Sequence, residues 1–199
     1  MQNVSEALVG VTGAIKSFDL DETVEYGVNG ALPASTIDHG FANEDGITIT
    51  GERSVTNIYA WQNATMVRSV VTEASVTYSF VAIQTNDDNA ELYYGRAKNA
   101  TTGATHWDAA NLGKRRSFVF DIIDTSLGKK IRHYVPIGEV TEIGEQQITS
   151  SGLIGYSYTI VAYKTDIEGE SANTLIWSGD LDEDSNSGSG SENGEESED

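Results

Sequence analysis

The chain has 199 residues, 38% of them hydrophobic and 9% aromatic, which is enough for one sizeable packed domain. No run of eighteen apolar residues occurs, so a membrane-spanning helix is excluded, and the absence of cysteine removes disulfides, thiolate nucleophiles and cysteine metal sites. The formal net charge of -19, from 31 acidic against 12 basic residues, repels phosphate and argues against a protein that grips DNA, while allowing one past which DNA slides. The N-terminus, Met1 to Glu6, lacks the basic start and long apolar run of a secretory signal, so neither secretion nor membrane insertion is expected.

In chain order, Leu8 to Phe18 reads as a short strand. Asp38 to Gln62 reads as a long polar loop with a short strand at Gly46 to Thr50. That loop carries Asp45 and the large apolar Ile58, Tyr59 and Trp61, which predict docking onto a neighbour. From Arg68 to Phe80 the period is two: Val70, Thr72, Ala74, Val76, Tyr78 and Phe80 alternate with Ser69, Val71, Glu73, Ser75, Thr77 and Ser79. Such alternation predicts a long strand with one core face and one small, polar face. Thr85 to Gly95 carries helix punctuation, with cap residues and acids at the start and glycine at the end; Ala90, Tyr93 and Tyr94 are its expected buried stripe.

Ala97 to Arg116 is a second long polar loop, with Trp107 and the cluster Lys114-Arg115-Arg116, a candidate interface for an acidic neighbour. Strands follow at Ser117 to Asp124, Ile131 to Val135, Ser151 to Lys164 and Thr174 to Trp177, with a turn at Leu127 to Lys130. In the third of these, Ile154, Tyr156, Tyr158 and Ile160 oppose Ser157 and Thr159. Nine acidic and no basic residues lie from Asp180 onward, among Ser and Gly. The expected organisation is one domain over residues 1–178 and a disordered acidic tail over 179–199. The expected fold is mainly β, two packed antiparallel sheets forming a sandwich or partial barrel, flanked by one short helix.

No enzyme signature emerges. His39, His106 and His133 stand far apart, the Gly-Lys at Gly128-Lys129 lacks the rest of a phosphate loop, and no G-x-S-x-G elbow occurs. Asp182, Asp184 and Asn186 have calcium-loop spacing, but Ser187 stands where that loop needs glycine and Asn193 where it needs glutamate. No catalytic residue, cofactor or metal is expected.

The stretches VGVTGAIKSF (Val9 to Phe18), LPAS (Leu32 to Ser35) and HGFANEDGITIT (His39 to Thr50) resemble the start of phage major tail proteins. IYAWQNATMVRSVVTEASVTYSFVAIQTN (Ile58 to Asn86), followed by ELYYG (Glu91 to Gly95), is similar to their middle, with Trp61-Gln62, Arg68, Thr72-Glu73 and Gly95 carrying the pattern. The resemblance, which spans most of Val9 to Trp177, is to the tail tube subunits of long non-contractile-tailed bacteriophages. It implies a tail-tube fold, self-assembly into stacked hexameric rings, and an acidic conduit for genome ejection, assembled in the host bacterial cytoplasm and residing in the virion tail. Implied partners are the tape measure protein, the tail tip and tail terminator proteins, and viral DNA only in transient, non-specific passage.

With that resemblance, the polar alternate residues Glu73, Ser75, Thr77 and Ser79, with Asp121, Ser157 and Thr159, become candidates to face the lumen; otherwise they face bulk solvent. Asp45, Ile58, Tyr59, Trp61, Trp107, Lys114, Arg115 and Arg116 become candidates for contacts between subunits or rings. The competing reading is a virion decoration protein or adhesin-type β-sandwich binding module that uses exposed aromatics.

Overall fold

The computed structural model describes residues 7–22, 24–167 and 169–181. Along them run β1 (Thr12–Phe18), β2 (Ile37–Asp38), β3 (Ala42–Tyr59), β4 (Met66–Ala82), α1 (Asp87–Tyr94), β5 (Arg116–Asp124), β6 (Lys129–Ile143), β7 (Tyr156–Ala162), β8 (Thr165–Ile167), β9 (Glu170–Ala172) and β10 (Leu175–Asp180). One large antiparallel sheet has the order β2-β1-β5-β6-β7-β4-β3, with β10 pairing with the first part of β6. β8 and β9 form a small second sheet.

The period-two pattern places the core. Tyr78, Phe80 and Ala82 on β4, Phe118 and Phe120 on β5, and Tyr156, Tyr158 and Ile160 on β7 are buried in one cluster. β4 and β5 are separated by two strands in the sheet, yet the Tyr78 and Phe120 rings stack with centroids 4.5 Å apart. Flat strands at their usual spacing would stand roughly 14 Å apart. The sheet therefore curls into an open partial barrel, with the core inside. Two halves of one sheet face each other across that core, beside the small second sheet.

A second cluster, Phe18, Val119 and Tyr134, lies on the outer face of β1, β5 and β6. The connection between β1 and β2 covers it with Val24 and Leu32. Arg132 Nη1 donates to Gly30 O at 2.6 Å and Asn29 Nδ2 to Asp180 O at 2.9 Å, which tie the cover down.

Four expectations change. The loop expected over Asp38 to Gln62 contains an 18-residue strand, β3. From Thr48 onward its residues are exposed on both faces, so no burial alternation marks it as a strand. β6 runs on past Val135 to Ile143. Pro136 is tolerated because the register with β5 shifts there, so the ladder does not need its missing N–H. Of the expected stripe Tyr93 is buried, but its buried companions are Asn89 and Leu92, while Ala90 and Tyr94 are only half-buried. β10 also continues through Gly179 and Asp180, two residues into the expected tail; the rest of that tail, from Asp182, lies outside the described residues, as does its calcium-like spacing.

The helix ends follow their punctuation. Asn86 Oδ1 accepts from the Asn89 N–H at 2.7 Å, and Asp87 and Asp88 occupy the first turn. Gly95 closes the helix at φ 71°, and a Cβ there would stand 2.6 Å from the Asn111 carbonyl oxygen, so both conformation and space require glycine.

Asn89 is buried because its amide is fully used. Its Nδ2 donates to the His39 and Gln84 carbonyls, at 3.0 and 2.8 Å. Its Oδ1 therefore accepts from His39 Nδ1–H at 2.8 Å, and His39 Nε2 accepts from the Ser17 hydroxyl at 2.8 Å. This arrangement suits neutral imidazole. Desolvation by burial lowers the His39 pKa; Arg116 lowers it further, while the Asn89 hydrogen bond, Asp88 and Asp38 pull the other way.

Below about pH 6.5 the unfolded chain takes up a proton that the folded chain resists. The neutral-histidine contribution is therefore complete above that pH and is lost as pH falls through the lowered native value. Urea unfolding of the wild type and His39→Gln between pH 7.5 and 5 should show the wild type losing more stability on acidification. Parallel pH curves would mean that His39 does not titrate as described.

Candidate assembly surfaces

The second half of β6, with β7, β4 and β3, forms a four-stranded antiparallel segment whose outer face is polar. The pairing registers line its side chains up in rows. Thr48, Ser79, Thr159 and Glu142 follow one another across β3, β4, β7 and β6, and Thr50, Thr77, Val161 and Glu139 form the next row. Glu52 stands opposite Ser75 and Ser54 opposite Glu73. The hydroxyls of Ser79 and Thr159 lie 3.2 Å apart in a hydrogen bond.

Six residues expected to share a polar face, Glu73, Ser75, Thr77, Ser79, Ser157 and Thr159, are thus brought together on one face. Asp121 is not with them. It sits on β5, 3% exposed, beneath the cover segment, where Arg132 holds both its oxygens at 2.7 and 3.0 Å and Lys130 approaches to 3.3 Å. Its alternation with Phe120 was legible, but the cover over that face was not. The residues that sequence reasoning missed are Thr48, Thr50 and Glu52, hidden in the supposed loop, and Glu139 and Glu142, beyond Pro136.

This face carries Glu52, Glu73, Glu139 and Glu142 against one guanidinium. Arg115 Nε donates to Glu139 Oε2 at 3.2 Å while its guanidinium lies over the Tyr163 ring, 4.5 Å from the centroid. The Tyr163 hydroxyl also donates to Glu139 at 2.6 Å, and that bond is the main reason its pKa is raised.

Among the described residues, both edges of the four-stranded segment are open. β3 pairs only with β4, and β5 follows β6 no further than Gly138, leaving Glu139 to Ile143 unpaired on that side. Open edges of this kind are templates for strand pairing.

β3 and β4 also run on together as a two-stranded arm. β7 supports β4 only from Val76 to Ala82, whereas β3 and β4 pair out to Tyr59 and Met66. Midway, Ser54 pairs with Glu73 but Val55 with Val71, so Thr72 is a bulged residue. Beyond it Val71, rather than the expected Val70, continues the face of Tyr78. The tip closes with Ala60 N–H donating to Thr65 O at 2.7 Å, through left-handed Asn63 and Ala64. Ile58 and Tyr59 are exposed near it, and Trp61 is 96% exposed.

The other contact candidates are scattered. Asp45 is exposed at the opposite end of β3 from the tip. Trp107 is half exposed but packs its ring 5.5 Å from Tyr94 and 6.4 Å from Tyr93. Arg115 is engaged with Glu139, and Arg116 Nη2 reaches Glu91 on α1 at 2.7 Å. Only Lys114 of that cluster forms no ion pair among the described residues.

Those residues contain no helix long and apolar enough to cross a membrane and no group of three or more His, Cys, Asp or Glu placed to hold a metal. No curated protein matches the chain. Among solved structures, the chain is similar to a protein in the six-fold symmetrised cryo-electron microscopy structure of the anti-feeding prophage baseplate, with 8% identity, 88% of this chain and 97% of that chain covered, and a TM-score of 0.45. The sequence model of the phage tail tube protein family matches residues 28–179, from the cover segment to the end of the sheet. The chain belongs to the phage tail tube protein family and is a structural component of a virion tail.

Proposed function

We propose that this protein is the non-enzymatic repeating subunit of the tube in a long, non-contractile tail, assembling as stacked hexameric rings around the path of genome ejection. The observation that carries this reading is the four-stranded segment with one polar, acid-bearing face and two open edges. Its strands alternate in direction, so β3 of one copy laid beside Glu139 to Ile143 of the next continues an antiparallel sheet. That contact joins two different surfaces, and such contacts close into rings when the rotation allows. The six-fold number comes from the family resemblance.

In a closed ring the hydroxyl-rich rows line the bore. Carboxylates there repel DNA phosphates and keep the genome from adhering during passage. The tape measure protein occupies the bore before ejection, the tail tip and terminator proteins meet the two ends, and assembly takes place in the host cytoplasm. The tube domain extends through β10 to Asp180.

A virion decoration or adhesin-type module would instead use the half-exposed Trp107 beside Tyr94. Electron microscopy of the purified protein separates the two readings. Rings or tubes with a central hole, walled by Glu52, Glu73 and Glu142, are expected. Dispersed monomers, or tubes with that face turned outward, would refute the conduit.

A further inference from the structure

β1 and β3 belong to opposite ends of the curled sheet and do not pair. Between them opens a cavity of about 500 Å3, lined among others by Gly13, Ile15, Phe41, Asn43, Glu44 and Asp45. Three features make this cleft an incomplete surface. Phe41 is 77% exposed beside it. Glu44 and Asp45 are both exposed at its rim. Asn43 Oδ1 is buried with no hydrogen-bond partner, the one such side-chain atom among the described residues, while its Nδ2 is already used by Asp45 at 2.6 Å. An orphaned buried acceptor calls for a donor from elsewhere.

The arm has the complementary chemistry. In its outer part, from Ser54 to Thr72, the only charged residue is Arg68, so the end that carries the tip is net positive in a chain of net charge -19. Arg68 forms no ion pair among the described residues. The tip also offers donors, the Trp61 indole N–H and the Gln62 and Asn63 amides.

The geometry points to this cleft as the socket for the hairpin tip of a second copy, with Arg68 set against Glu44 and Asp45 and a tip donor meeting Asn43 Oδ1. The inference rests on the tube reading and names the surface to which the arm docks. The same chain cannot supply both parts. β3 is extended from Ile47 to Tyr59, which holds tip and cleft roughly 40 Å apart. Tip and socket at opposite poles make a head-to-tail contact, which propagates along an axis when it does not close.

The test is polymerisation of the purified full chain. Arg68→Glu and Asp45→Arg should each raise the critical concentration roughly tenfold or more, and the double variant should recover to within about threefold of the wild type. Circular dichroism melts separate lost contact from lost folding. Because the chain has no cysteine, an equimolar mixture of Gln62→Cys and Asp45→Cys proteins reports the contact directly. Assembled and oxidised, it should give a mixed disulfide dimer that peptide mass spectrometry maps to those two positions. Tubes that form without that disulfide, together with no rescue by the charge swap, overturn the socket while leaving the tube reading intact. A wild-type chain that never polymerises overturns both.

Discussion

Removing Ser54 to Glu73 and joining Arg53 to Ala74 through an Asn-Gly turn is expected to give a folded protein that no longer forms tubes. Arg53 and Ala74 are directly paired, so a two-residue hairpin turn fits between them. Apart from half-buried Ala60 the deleted residues are exposed, and the core cluster contains none of them. The melting temperature should therefore stay close to that of the wild type.

The effect on assembly should be large for the same reason. A two-stranded ribbon without further support is marginal in water, yet this one exposes Val55, Ile58, Tyr59, Trp61, Met66, Val67, Val70 and Val71. Withdrawing an aliphatic side chain such as Val55, Ile58, Met66 or Val71 from water contributes about 1.5–3 kcal/mol. Each ~1.4 kcal/mol changes an association constant tenfold, so losing several such contacts removes polymerisation at any practical concentration. Sedimentation and electron microscopy of the variant check this. Tubes of normal length would show that the arm is not the link between rings, and a variant that fails to fold would show that it supports the body.

The sequence was legible where one face is buried and the other is not. β4, β5 and β7 announced themselves because Tyr78, Phe120 and Tyr158 alternate with Ser79, Asp121 and Thr159. β3 stayed hidden because its outer half is buried on neither face, so its residues carry the composition of a loop while pairing as a strand. Glu139 and Glu142 were missed because Pro136 normally ends a strand, and only the local bulge lets β6 continue. Asn89 was missed because a buried asparagine is recognisable only once its partners, His39 and Gln84, have been brought to it from elsewhere in the chain. Arg115 and Arg116 read as an interface for an acidic neighbour because their actual partners, Glu139 and Glu91, are distant in sequence.

Asp121 shows the same limit with the largest energetic consequence. Period-two reasoning assigns it to the face opposite Phe120, which is correct, but that face is covered by the segment that contains Gly30. Two cations, Arg132 and Lys130, share this single buried carboxylate. Desolvation by burial lowers the Lys130 pKa despite the attraction of Asp121. Asp121→Asn keeps the shape and removes the charge, leaving the Arg132 guanidinium buried without its counter-ion. Breaking such a pair typically destabilises by about 3–5 kcal/mol, which for a domain of this size lowers the melting temperature by roughly 10 °C.

Combining Asp121→Leu with Arg132→Met and Lys130→Met should recover most of that loss, since apolar replacement of all three partners leaves no uncompensated buried charge. It also removes the Arg132 bond to Gly30, so proteolysis should then cut first in the cover segment. A residue proposed to line the bore behaves differently. Reversing Glu73, which is exposed, changes charge without stranding a buried partner and should leave the melt nearly unchanged. If Asp121→Asn melts like the wild type, the ion cluster does not hold the cover, and Asp121 regains its standing as a solvent-facing acid.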